Sequence, residues 1–474
     1  MTVTSHPVEP TDPELADKLR EAVQGGLPKA IADLSALVRI PSVSWDAFDP
    51  STVSASADAV AALVESTGLF DSVKTSRAPI EGDVLGHPAV LATRTAKNGR
   101  PTVLLYAHHD VQPEGDHDLW ETPPFEPTVR GDRLYGRGAS DDKAGVMTHV
   151  GALRAAAEVI GDDLQVGIVV FIEGEEEFGS RSFTNFLAQH RSELASDLII
   201  VADADNWSID VPALTVGLRG NVTFRLTVKT LEHASHSGMY GGAVPDGMMA
   251  MIKLLATLHD DAGSVAVAGM TGQDNDYPDY PEAKLRAEAA LLEGVTPIGT
   301  GHVLSRLWSK PSITVTGIDA PTVANASNTL SPSTSVRISA RVAPGQTADE
   351  AFEALRAHLV EHAPFGATIE ISDVDRGDPF VVDTTGWGFA EGMTALEEGW
   401  GTTPVETGIG GSIPFISDLA EVFPEAQILV TGVEDPDTRA HSPNESQHLG
   451  VLHRSILSEA ILLARLDTRE GFGA

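Results

Sequence analysis

Four apolar runs most constrain this fold: "TVLLYAHHD" (residues 102–110), "VGIVVFIEG" (166–174), "DLIIVADAD" (197–205) and "AQILVTG" (426–432). Each is apolar for too many consecutive residues to be a strand with one wet face, so both faces must be covered. Helical patterns separate the first three runs, "KAGVMTHVGALRAAAEVI" (143–160) and "SFTNFLAQHRSEL" (182–194). Buried strands alternating with amphipathic helices predict an α/β fold, a mostly parallel sheet with helices on both faces.

From Gly217 the pattern changes. "NVTFRLTVK" (221–229) alternates apolar and polar residues, as a strand with one solvated face does. A helix at 246–261, strands at 312–318 and 335–343, a helix at 348–362 and a strand at 367–372 follow, which is the βαββαβ order of a ferredoxin-like α+β domain. The α/β texture resumes near residue 380 and ends in a helix expected at 445–466. The chain of 474 residues is long enough for two domains, and the expected division is 1–216 and 380–474 for the larger, with 217–379 inserted. The polar stretch 271–286 reads as an exposed loop of the insert.

Ligands of a parallel sheet bind beyond the carboxyl ends of its strands. There the runs end in His108 and Asp110, in Glu173 and Glu175 to Glu177, and in Asp203 and Asp205, while the last is followed by "DTRAHSPNE" with His441. Asp141 lies in the glycine-rich turn "YGRGASDDKAG". Carboxylates converging on one edge repel one another unless a cation sits among them. With no cysteine in the chain, a metal site must use His, Asp and Glu, a donor set that suits zinc, with manganese or cobalt as substitutes. The net charge of -36 argues against nucleic acid and anionic membranes as partners. No apolar run approaches a membrane span and the start lacks a signal-peptide pattern, so a cytoplasmic protein is expected.

The segments "AHHDVQP", "LYGRGASDDKAG", "EGEEEFGS", "IIVADAD", "GLRG", "HSGMYGG", "ARVAPGQ", "GGSIP" and "AHSPNE" run in order from residue 107 to 445. In them the chain resembles the dinuclear zinc peptidases that include carnosinase-like cytosolic dipeptidases, aminoacylases and glutamate carboxypeptidases, with the dipeptidases nearest. The resemblance implies a catalytic α/β domain with an inserted lid. It implies two zinc ions, one held by His108, Asp141 and Asp203 and the other by Asp141, Glu177 and His441, with Asp141 bridging. Asp110 would orient His108, and Glu176 would be the general base that takes a proton from a water shared by the metals and passes it to the leaving amine. His236 on the lid would polarise the scissile carbonyl; in dimeric relatives it comes from the second subunit. Arg341 would pair with the substrate's terminal carboxylate, and the backbone at Gly410, Gly411 and Ser412 would help hold that end.

Neighbouring residues compete for these roles. His109 competes with His108, Asp205 with Asp203, and Asp142 with Asp141; the family's spacing favours His108, Asp203 and Asp141, and leaves Asp142 as an acid at a helix start. His117, His149, His233 and His448 match no motif and read as structural or surface residues. Gly408 and Ile409 stand where many carnosinase-like relatives carry Arg-Glu, which alters the charge expected around the substrate. The expected function is a two-metal hydrolase of dipeptides or small peptides with a free carboxylate, working as a homodimer through the lid. Alternatives are an N-acyl amino acid amidohydrolase and, against the presence of Glu176, a non-catalytic metal-dependent binding protein.

Overall fold

The computed structural model describes residues 9–275, 277–410 and 414–470. They divide into two compact units, one from Met1–Val216, Val382–Thr407 and Asp418–Ala474, the other from Gly217–Val381 and Gly408–Ser417. The sequence reading assigned everything after residue 379 to the first unit. Gly408–Ser417 instead groups with the second, because Arg219 Nε donates to the Gly410 carbonyl (2.9 Å) and Gly408 lies so close to Trp308 that a Cβ there would come within 2.7 Å of its side chain.

In the first unit, β1 (Thr102–His108), β2 (Gly167–Glu173), β3 (Leu198–Asp205) and β4 (Gln427–Glu434) form a parallel core in the order β2-β1-β3-β4. Antiparallel strands Ala89–Arg94 and Ser72–Ser76 extend it beyond β2, and Ala213–Leu218 extends it beyond β4. Every residue of β2 is buried, as its unbroken apolar run requires. On one face, Phe183 and Phe186 of helix Phe183–Leu194 stack on Phe171 of β2, with ring centroids 5.7 and 4.7 Å apart. Ile200 of β3 points to the opposite face, where it meets Thr148 of helix Lys143–Val159 and Leu462 of helix Leu449–Thr468 around a small cavity.

Helix Lys143–Val159 begins against the end of β3. Asp142 caps it by accepting the Gly145 N–H (3.2 Å), and a Cβ at Gly145 would lie 2.3 Å from the Ala202 carbonyl, so only glycine allows this approach. The closing helix starts later than the sequence suggested. Ser446–His448 is a strand pairing with Arg133–Tyr135, and His448 then caps helix Leu449–Thr468 by accepting the Val451 N–H (3.2 Å). No helix among the described residues is long and apolar enough to cross a membrane.

The second unit has strands Gly220–Lys229, Ser312–Asp319, Ser333–Val342 and Thr368–Gly377, all antiparallel. Numbered along the chain, their order across the sheet is 2-3-1-4, and helices Gly247–Leu255 and Ala348–Glu361 complete the βαββαβ arrangement. The alternation seen in sequence is the alternation of burial: Val222, Phe224, Leu226 and Val228 face the core while their neighbours do not. The polar stretch 271–286 is not wholly a loop, because helix Glu282–Glu288 takes its last part, steadied by an Arg286–Glu282 pair one turn apart (2.8 Å).

Buried His149 ties the layers of the first unit together. Its Nδ1 lies 2.9 Å from both Glu459 oxygens and its Nε2 2.9 Å from the Tyr106 carbonyl, so both ring nitrogens face acceptors and the ring is held as a cation. Burial opposes that charge, but Glu459 outweighs it and the pKa is raised. A raised folded-state pKa stabilises fully below the unfolded value of about 6.5, and the contribution is lost as pH rises through the folded value. Glu459→Gln is therefore expected to destabilise the protein by about 3 kcal/mol or more near pH 6. The gap in melting temperature from the wild type should narrow as pH rises; a gap that stays constant would show that His149 does not titrate with folding.

Candidate metal centre

Parallel register explains why two of the expected ligands meet. Tyr106 of β1 pairs with Val201 of β3, and two residues further along each strand, on the same face, stand His108 and Asp203. His108 Nε2 lies 3.9 Å from Asp203 Oδ1 and 3.2 Å from Asp141 Oδ1. The other oxygen of Asp141 faces away toward His441, with Oδ2 2.9 Å from its Nε2, and His441 Nε2 is also 3.2 Å from Glu177 Oε2. Two groups result, His108 with Asp141 and Asp203, and Asp141 with Glu177 and His441, each with its donor atoms within 4.8 Å of one another.

Asp110 organises this end of the sheet. Its carboxylate accepts the N–H groups of Glu176 and Glu177 (3.1 Å each) and the Ser44 hydroxyl (2.7 Å), and its Oδ1 lies 3.4 Å from His108 Nδ1. It thus fixes the turn Glu176–Phe178 and leaves Nε2 as the free nitrogen of His108. That atom is buried without a hydrogen-bond partner, aimed at two carboxylates. An orphaned imidazole nitrogen among hard oxygen donors is the environment of a borderline divalent cation such as zinc, so these residues fit a metal.

The charges point the same way. Burial pushes Asp203 and Glu177 up to about 7 and Glu176 well above the usual carboxylate range. Burial acts on Asp141 too, but the His108 and His441 imidazoles beside its two oxygens outweigh it and hold its carboxyl low. Hydrogen bonding to Asp141 and Glu177 raises His441 to about 11. Four largely buried acids here outnumber the two imidazoles they face, and cations would lower every one of these carboxyl pKa values together.

The competing residues have other work. His109 points away, its Nε2 2.9 Å from the Pro88 carbonyl, and burial lowers it to about 4. Asp142 accepts the His108 N–H (3.1 Å) as well as capping its helix. Asp205 is exposed at the end of β3. Of the acidic run, Glu173 accepts the Tyr106 hydroxyl (2.6 Å) and Glu175 the Ser182 N–H (2.6 Å) and the His87 N–H (3.1 Å). His117 and His233 are exposed.

His236, Arg341 and Gly410 belong to the second unit. His236 is exposed and its Nδ1 accepts the Gly238 N–H (3.0 Å); Arg341 is half-buried on strand Ser333–Val342. Gly411 and Ser412 lie outside the described residues. Sequence reasoning missed three supports in the first unit: Ser44 on Asp110, Gln112 donating to Glu177 Oε2 (2.7 Å), and Glu445. Gln112 and Glu445 stand inside quoted motifs, so their position was a signal that their chemistry did not explain; Ser44 gave none.

Residues 104–463 match Peptidase family M20/M25/M40. The cysteinylglycine-S-conjugate dipeptidase of Corynebacterium striatum is 33% identical over 392 residues, which cover 80% of this chain and 86% of that protein. Two solved structures share the fold. A dipeptidase of Saccharomyces cerevisiae has a TM-score of 0.80 at 21% identity, covering 96% of this chain and 99% of the other. Human carnosine dipeptidase 1 has a TM-score of 0.78 at 23% identity, covering 97% and 100%. The chain belongs to the M20/M25/M40 peptidase family and is a metallopeptidase.

Proposed function

We propose that this protein is a two-metal dipeptidase that hydrolyses dipeptides with a free C-terminal carboxylate, cysteinylglycine-type substrates among them. The carrying observation is the Asp141 carboxylate, which turns one oxygen toward the His108 and Asp203 group and the other toward the Glu177 and His441 group. The name of the Corynebacterium striatum relative supports a dipeptide over an N-acyl amino acid as substrate.

His108, Asp141 and Asp203 would hold one cation and Asp141, Glu177 and His441 the other, zinc being the ion this donor set suits best. Bound there, two divalent ions would supply Lewis acidity to the carbonyl and to the attacking water. Glu176 is the acid left outside both groups, its Oε2 3.9 Å from His108 Nε2. It accepts the proton of the attacking water as the C–O bond forms and delivers it to the amine as the C–N bond breaks. Asp110 keeps Nδ1 of His108 engaged so that Nε2 faces the site. In this reading His236 stabilises the developing oxyanion, Arg341 and the backbone at Gly410 to Ser412 receive the terminal carboxylate, and the second unit is a lid through which two copies pair in the cytoplasm.

Purified protein stripped by chelator and titrated with zinc is expected to bind two ions per chain and to gain thermal stability as it does so. Failure to take up any ion, with no activity at any zinc concentration, would overturn the mechanism. Glu176→Gln should still bind two ions yet lose roughly two or more orders of magnitude in turnover; a variant as active as the wild type would remove Glu176 from its role. Faster release of acyl groups from N-acetyl amino acids than of amino acids from a dipeptide panel would favour the deacylase instead.

A further inference from the structure

Glu445 ends the "AHSPNE" segment and is fully buried. Its Oε1 accepts two backbone N–H groups, from Ser140 (3.1 Å) and from Asp141 itself (3.2 Å), and its Oε2 receives Arg137 Nη1 at 2.5 Å. Ser140 is held a second time, its hydroxyl donating to Gln447 Oε1 (2.7 Å). Four residues before Glu445 in the same loop stands His441, at φ 60° in the left-handed region that a non-glycine residue enters only when its surroundings hold it there. Asn444 supplies part of that hold, donating to the Leu119 carbonyl (3.0 Å) and accepting the Glu121 N–H (2.8 Å).

From these contacts we infer that Glu445 is a positioning residue for the metal centre, setting the distance between the backbone of the bridging Asp141 and the loop that carries His441. The inference rests on the two-metal reading above. A carboxylate oxygen shared by two amides constrains both the place and the tilt of the Asp141 peptide, and the adjoining side chain must present one oxygen to each ligand group. An error there is felt at both sites at once, since Asp141 is the residue they share. Arg137 neutralises the buried charge, so the oxygen facing the amides carries the positioning and the ion pair makes that oxygen affordable.

The two roles can be separated by zinc affinity, measured by competition against a chelator on stripped protein, beside the melting temperature of the metal-free form. Glu445→Met has similar length and no acceptor, and should weaken zinc binding by about 10–100-fold, the usual effect of removing a group that orients ligands. The double variant Glu445→Gln with Arg137→Met removes the ion pair but keeps an oxygen for the amides, and should bind zinc within a few-fold of the wild type. Wild-type affinity in a folded Glu445→Met protein would overturn the assignment. So would a tenfold or greater loss in the double variant, which decides alone if Glu445→Met does not fold. A wild type that binds no zinc would instead defeat the two-metal reading, a distinct result.

Discussion

The rest of the structure depends on one buried carboxylate, Asp141, held between two imidazoles that arrive from opposite directions. His108 comes from the end of a central strand and His441 from a loop more than three hundred residues later, and the two carboxylate oxygens face one each. Ionised acids are expensive to bury, by several kcal/mol each after relaxation, and the fold accepts several together. What makes this tolerable is placement: strand register puts Asp203 beside His108, Asp110 fixes the turn that presents Glu177, and Glu445 fixes the Asp141 peptide.

Much of this was legible in the sequence, and the reason is the sheet. Strands buried on both faces write themselves as unbroken apolar runs, and their carboxyl ends then mark where chemistry gathers. The choice between His108 and His109 is also a strand property, since successive side chains point to opposite faces and only one can turn toward Asp203. What the sequence hid are contacts whose partners are distant along the chain. Ser44 and Asp110 are 66 residues apart, and Glu445 and Asp141 are 304 apart. The start of the closing helix was hidden for a similar reason. Residues 446–448 are extended because Arg133–Tyr135 offers them a partner, which no local pattern records.

The run "EGEEE" shows how far environment separates residues of one type. Glu173 is the last residue of its strand and takes a tyrosine hydroxyl, while burial raises it to about 8. Glu175 folds back on the start of the next helix, and the amides of Glu176 and Glu177, bound to Asp110, hold the turn from which their side chains reach His108 and His441. A single-residue slip would place a supporting acid where the proposed base, Glu176, stands. The apolar strand before the run and the glycine within it therefore do more than connect, because they fix the phase of the whole set.

The buried acids of the first unit divide by what neutralises them. Glu445 has Arg137, Asp435 has Arg133, Glu391 has Arg465 and Arg469, and Glu459 has His149, while Asp110, Asp142, Glu173 and Glu175 take hydroxyl and amide donors. Asp141, Glu176, Glu177 and Asp203 are different: among the described residues their ion-pair partners are only His108 and His441, with no lysine or arginine. A guanidinium there would satisfy the charge permanently and occupy the space a reacting carbonyl needs. Leaving these acids to imidazoles, which bind a cation through a neutral nitrogen, keeps their charge available to ions that can also act on a substrate. Fixed cations stabilise the scaffold, and the centre is where the fold withholds them.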